Sequence, residues 1–234
     1  TQIQIIQNLE GGIIAEVMVA NGDLVVKGQP LIRIDDTRFA SSFNQSQSSI
    51  DALQYRAARL TAELSGENLT TPKDLSLGQL NLFKNEVSLY QTRKIQLQSG
   101  LDILAQQLKQ HIQARQGLLS EYQKFKTNAD LARQELDLTA PAVKTGAVSR
   151  IELLRLQRAV NEADGLMEET RLKLPSAESV VEEAKKKIDE RSQQFLSASQ
   201  AEFTEVTAEL NRLTFSNAAL QDRVARTSVR SPVN

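Results

Sequence analysis

Two hydrophobic periods divide this chain. Between Ile13 and Val19 apolar residues tend to fall on alternate positions, and Ile13, Ala15, Val17 and Val19 are expected to share one face of a strand. Leu31 to Ile34 predicts a second short strand. The turns between and beside them are Asn21-Gly22-Asp23 and Lys27-Gly28-Gln29, since glycine supplies positive φ cheaply and Asn or Asp tolerates it. Gly11-Gly12 predicts a bulge or bend where the backbone joins the sheet.

After Asp36 the period changes to alternating steps of three and four. A first helix carries Phe43, Ser46, Ile50, Leu53, Ala57, Leu60 and Leu64, and Gly66 with the segment 68–74, including Pro72, breaks it. Ser76-Leu77-Gly78-Gln79 then reads as a capping box, with Leu75 and Leu80 placed as a hydrophobic staple. The second seam runs from Leu80, Phe83, Val87, Tyr90 and Lys94 through Leu101, Leu104, Leu108, His111 and Arg115 to Ala129, Ala132 and Leu136. Pro141 and Gly146 are expected to end it. A second capping box at Ser149-Arg150-Ile151-Glu152, stapled by Val148 and Leu153, opens a third helix. Its seam runs from Leu153, Leu156 and Val160 to Phe195 and Ala198. One extra step leads to Phe203, and Val206 to Val224 follow. A 3.5-residue period sustained this long predicts a coiled coil. Pro175 interrupts the composition but not the phase, so a kink is expected there in place of an end.

The short loop at Gly146 makes the second and third helices antiparallel. Small residues then meet large ones if Ala132 faces Leu153, Tyr122 faces Ala163 and Leu101 faces Ala184. The first helix fits the same partner lower down, with Leu60 near Val206 and Phe43 near Val224, and so stacks roughly end to end with the second. A third helix of about 78 residues would be about 115 Å long. It returns to where the β-segment stopped, and "SVRSPVN" (228–234) resumes strand-like sequence. The expected architecture is mostly α: a long antiparallel coiled-coil hairpin over 37–228, with its tip near 139–149, inserted into one small β-unit. Residues 1–36 hold the first half of that unit and 229–234 begin the second.

Composition narrows the function more by exclusion than by indication. Aromatics are 4% and Trp is absent, which favours long helices over a globular core. A net charge of -1 supplies no basic footprint for nucleic acid. There is no Cys, so neither a disulfide framework nor thiolate chemistry is available. No apolar run approaches the roughly 20 residues of a membrane span. The chain starts and stops in mid-pattern and reads as an excised fragment. No Ser/His/Asp set, phosphate-binding glycine loop or acid pair appears, so no catalytic, cofactor-binding or metal-binding residue is assigned and catalysis is not expected. The one His, His111, sits among seam leucines and reads as a packing residue. Lys94 and Arg191 fall at one level as a polar layer, and 182–191 reads as a solvated charged face. Ser149 reads first as an N-cap worth about 1 kcal/mol. Contact with a partner at the tip is compatible with that role.

The pieces "EGG", "NGD…VKGQPLIRIDD", "GAVSRIELLRLQR" and "RSPV", in this order around a long hairpin, resemble the HlyD-like periplasmic adaptors, or membrane fusion proteins, and among them the branch serving type I secretion. The resemblance covers the whole chain. It implies that the β-unit is a lipoyl-like domain split by the hairpin. Nothing like the "MKM" of modified lipoyl domains is present, so Lys27 should be unmodified and no cofactor is implied. It further implies an adaptor in the periplasm, its parent anchored in the inner membrane of a Gram-negative bacterium. The base would meet an ABC transporter, the tip a TolC-like outer-membrane channel, and copies would self-associate, as six in the full assembly. The implied tip contacts are Lys144, Thr145, Gly146, Ala147, Val148, Ser149, Arg150 and Leu153. Related drug-efflux adaptors carry an Arg, a Leu and a Ser at the tip. Here Leu138, Ala142 and Ser149 stand at those positions, and only the Ser matches.

Two rivals are a purely structural coiled coil and a drug-efflux adaptor of the same family. The flanking β-halves argue against the first. The long arms and the "EGG"-type β-half favour protein secretion over the second, and a neighbouring gene for an ABC transporter beside a large secreted protein would separate them.

Overall fold

The computed structural model describes residues 5–72 and 75–232. The elements run β1 (Ile14–Val17), β2 (Pro30–Ile34), α1 (Thr37–Ser65), α2 (Leu77–Lys144), α3 (Arg150–Arg226) and β3 (Ser228–Arg230). Residues 73–74 of the expected helix break and 233–234 of the returning strand lie outside the described residues. The chain divides into two units, Thr1–Lys94 with Leu196–Asn234, and Ile95–Phe195.

In the first unit β2 is the central strand, antiparallel to β1 on one side and to β3 on the other. The chain entering the hairpin and the chain leaving it therefore share one sheet, as the resumed strand pattern predicts. Ile34 N–H donates to the carbonyl of Thr227, and Ser231 exchanges backbone hydrogen bonds with the Gly28-Gln29 turn. Gly12 is needed twice over. Its φ is 138°, and a Cβ there would lie 2.6 Å from Ile34 Cγ2. The face expected from Ile13 to Val19 is broken, because the pairing slips between Ile14 and Glu16. One extra residue on a strand reverses the side-chain alternation beyond it.

The helices of this unit depart from end-to-end stacking. Gln79 of α2 donates to Asp51 of α1, Tyr55 meets Phe83 edge to face at 5.6 Å, and Arg59 donates to Glu86 at 2.6 Å. The Tyr90 hydroxyl donates to the Glu67 carbonyl just past α1. The residue numbers climb together, so the start of α2 runs parallel alongside the end of α1, with α3 antiparallel to both. This makes a three-helix packing. It requires two buried stripes on α1. One is the expected seam, in which Ile50 and Leu60 are buried. The other is Tyr55, Arg59, Ala62 and Glu63.

Charge holds this layer together. Arg59 is 1% exposed and reaches Glu86 at 2.6 Å, Glu63 at 2.7 Å and Glu202 at 2.7 Å. Arg93 joins Glu63 at 3.2 Å and Glu202 at 2.9 Å, and the buried Ser199 hydroxyl donates to Glu63 at 2.8 Å. Burial would raise the Glu202 carboxyl, but hydrogen bonds from Arg93, Arg59 and Arg56 outweigh it and hold the pKa at about 2. Burial likewise disfavours the Arg59 cation, and its three carboxylates outweigh that, leaving the guanidinium more basic than usual. The extra step of the α3 seam falls here. Ser199 takes the buried place expected for Ala198, which is exposed.

Lys94 does not take the seam position expected of it. Lys94 is exposed and lies 5.5 Å from the centre of the Tyr90 ring, while Arg191 occupies the room left by Gly100. The seam's cation at this level of α2 is Arg93, one position earlier.

In the second unit the remaining α2 seam positions from Leu97 to Leu136 are all buried or half-buried, His111 among them. The register differs from the one expected. Arg133 pairs with Asp164, Arg115 with Glu178, and Arg191 reaches Gly100, roughly one to two heptads further along α3 than the small-to-large pairing implies. The cause lies at the tip, where α2 runs further than expected. α3 is continuous through Pro175, as the unbroken phase predicts. A proline inside a helix removes one hydrogen bond, and the flanking turns carry the rest.

Candidate functional site: the hairpin tip

The turn between α2 and α3 belongs wholly to the second unit, and local sequence dictates it. Pro141 does not end α2, which continues to Lys144. A proline there lacks the N–H for one intrahelical bond and its ring crowds the carbonyl four residues back, while its fixed φ suits the helix. The stop is Gly146, with φ 75°. Its N–H donates to the Val143 carbonyl at 3.2 Å, and the Ala147 N–H donates to the Ala142 carbonyl at 3.0 Å. These two bonds are the paired closure of a Schellman motif, which needs a left-handed residue where the glycine stands. The Thr145 hydroxyl adds a third bond, donating to the Ala142 carbonyl at 2.9 Å.

Three residues later α3 begins under its own cap. The Ser149 hydroxyl accepts the Glu152 N–H at 3.2 Å, and the Ser149 carbonyl accepts the Leu153 N–H at 3.3 Å. Val148 and Leu153 are both half-buried, as a staple requires. Glu152 lies in the first turn of α3 and Lys144 in the last turn of α2, where each charge opposes the helix dipole favourably. The loop is thus closed on the α2 side by the N–H groups of Gly146 and Ala147 and on the α3 side by Ser149, whose hydroxyl and carbonyl accept from Glu152 and Leu153.

Of the eight tip residues named from sequence, Lys144, Thr145, Gly146, Ala147, Ser149 and Arg150 are exposed. Val148 and Leu153 are turned partly inward by the staple. Sequence reasoning placed Leu138 only as a mismatch to the efflux-type tip pattern and Ile151 only within the capping box, and gave neither a contact role. Leu138 is 82% exposed and Ile151 is 80% exposed. The available signal was their position. Each lies two residues from its helix's seam, at Leu136 and Leu153, and so points away from the partner helix. Among the described residues no group of three His, Asp or Glu is placed to hold a cation, and no helix is long and apolar enough to cross a membrane.

Comparison with known proteins gives a consistent set of likenesses. The family model described as AprE, long alpha-helical hairpin, matches residues 39–223. A type I secretion system membrane fusion protein, PrsE of Rhizobium meliloti (strain 1021), is 27% identical over 98% of this chain. The chain spans about half of that relative's length, 54%. The crystal structure of the soluble domain of LipC, a membrane fusion protein of a type I secretion system, superposes with a TM-score of 0.92 at 18% identity, covering 98% of this chain and 89% of that one. The periplasmic adaptor protein EmrA gives a TM-score of 0.57 at 14% identity, covering 95% and 61%. At these identities the two structures speak for the fold.

Proposed function

The chain belongs to the AprE long α-helical-hairpin family of HlyD-like membrane fusion proteins, and on that footing we propose that it is part of the periplasmic adaptor of a type I secretion system. In this reading it bridges an inner-membrane ABC transporter and a TolC-like outer-membrane channel as a structural element with no catalytic step of its own. Residues 1–36 and 229–234 contribute to a lipoyl-like domain at the base, and the hairpin between them carries the tip to the channel. The parent protein is anchored in the inner membrane of a Gram-negative bacterium, and six copies line the passage.

The observation that carries the reading is the placement of the hairpin within one sheet. β2 pairs with β1 before the hairpin and with β3 after it, so the two helical arms leave and rejoin one β-unit. A free-standing coiled coil has no use for that arrangement. The likeness to PrsE supports secretion as the task. The periplasmic adaptor EmrA shares the fold at lower coverage and a lower TM-score than LipC.

The test uses the full-length adaptor in a secreting host. Ala147→Asp changes an exposed side chain outside the cap of α3, between a helix C-terminus and a helix N-terminus whose dipoles act on it in opposite senses. We expect unchanged helicity and melting, reduced secretion, and loss of copurifying channel for Ala147→Asp and for Lys144→Glu. Normal secretion from both and from the double variant would place docking elsewhere.

A further inference from the structure

We propose that the tip docks through an apolar contact made by Leu138 and Ile151 and bordered by Lys144 and Arg150, and that its counterpart is an apolar helical end of the outer-membrane channel rimmed by carboxylates. The inference rests on the tip-docking reading above and supplies its chemistry.

Isolated exposed aliphatic side chains are ordinary on helices, and the hairpin has several, including Ile103, Leu131 and Leu172. What sets the tip apart is concentration. Within the second unit, Leu138 and Ile151 are the two most exposed large apolar residues, and both lie within two helical turns of one short loop. Neither can be recruited into the seam without rotating its helix and exposing Leu136 or Leu153. Burial of these side chains therefore requires another molecule.

The charges choose between possible molecules. Lys144 and Arg150 are exposed, and among the described residues neither forms an ion pair. Glu152, the nearby acid, pairs with Arg155. Arg150 is also the first residue of α3, at the positive end of its dipole, where a cation is unfavourable to the helix itself. A second copy of the same tip would bring like charges together. A helical end that offers an apolar surface with carboxylates around it would satisfy both features at once.

The experiment measures binding of the full-length adaptor to the purified TolC-like channel of its host, held in detergent, by biolayer interferometry. Leu138→Gln and Ile151→Gln should each weaken binding by about tenfold, with circular dichroism and melting unchanged. Leu172→Gln, an exposed site midway along the second unit, should bind as wild type. Raising the salt concentration should weaken wild-type binding, and Lys144→Gln with Arg150→Gln should blunt that dependence. If Ala147→Asp loses binding while Leu138→Gln and Ile151→Gln retain it, the apolar contact is overturned and the tip reading stands. If all three variants bind as wild type, docking is not at the tip and both fall. A change in sedimentation without a change in channel affinity would make these residues a self-association surface and would equally overturn the proposal.

Discussion

Replacing Arg59 by Met should cost the three-helix layer about 3–5 kcal/mol, the range for removing one partner of a buried ion pair. The structure shows where that cost arises. The guanidinium gives up hydrogen bonds to Glu86, Glu63 and Glu202. Glu202 retains Arg56 and Arg93, and the Glu86 side chain is 21% exposed and can turn to water. Glu63 is the stranded group, because its side chain is 2% exposed and its oxygens keep Arg93 at 3.2 Å and the Ser199 hydroxyl. An under-compensated buried carboxylate dominates the loss. Adding Glu63→Gln removes that charge with little change of shape and should restore about 2 kcal/mol of it. Urea unfolding followed by tyrosine fluorescence suits the question, since Tyr55 and Tyr90, two of the three tyrosines, lie in this unit. Protein concentration must be held fixed so that association does not contribute. A loss below about 1 kcal/mol for Arg59→Met, or a double variant no more stable than the single one, would refute the assignment of Glu63 as the stranded charge.

Two further predictions concern the same unit. The folded Glu202 carboxyl sits at about 2, below its unfolded value of 4.5, so its contribution is complete above the unfolded pKa and is lost as pH falls through the folded one. The unfolding free energy from urea titrations should stay level from neutral pH to about 5.5 and then decline by about 3 kcal/mol toward pH 2, with Glu202→Gln flattening the decline. Asn217 is buried and donates to Gln47, but its Oδ1 and the neighbouring buried Ser46 hydroxyl make no hydrogen bond with a protein group. Asn217→Leu should raise the melting temperature, since the unmatched acceptor is removed. A lower melting temperature would show that the bond to Gln47 outweighs the unmatched acceptor.

The seams were legible because burial there is carried by aliphatic residues at helical spacing, and nearly every position from Phe43 to Val224 is at least half-buried. The second stripe of α1 was not, because Arg59 and Glu63 look like solvent-facing residues until Glu86, Arg93 and Glu202 are brought beside them. Local pattern cannot report a partner contributed by another helix. The register slipped for a smaller reason. Reading Pro141 as a stop shortened α2, and shifting the turn toward Lys144 moves every facing pair up α3. At the tip the cap at Ser149 and the glycine at 146 were readable as backbone chemistry. Leu138 and Ile151 were marked only by standing off their helices' seams, a signal masked because hydrophobicity in a sequence predicts burial and here the residues are exposed.

The central claim is that the tip of this hairpin meets an outer-membrane channel. A photo-activated cross-linker placed at Ala147 of the full-length adaptor, and separately at Leu172, tests it in living cells. Both positions are exposed, so neither substitution disturbs the seam. An adduct with the channel is expected from position 147 and none from position 172. Equal capture from both positions, or capture from 172 alone, would contradict it.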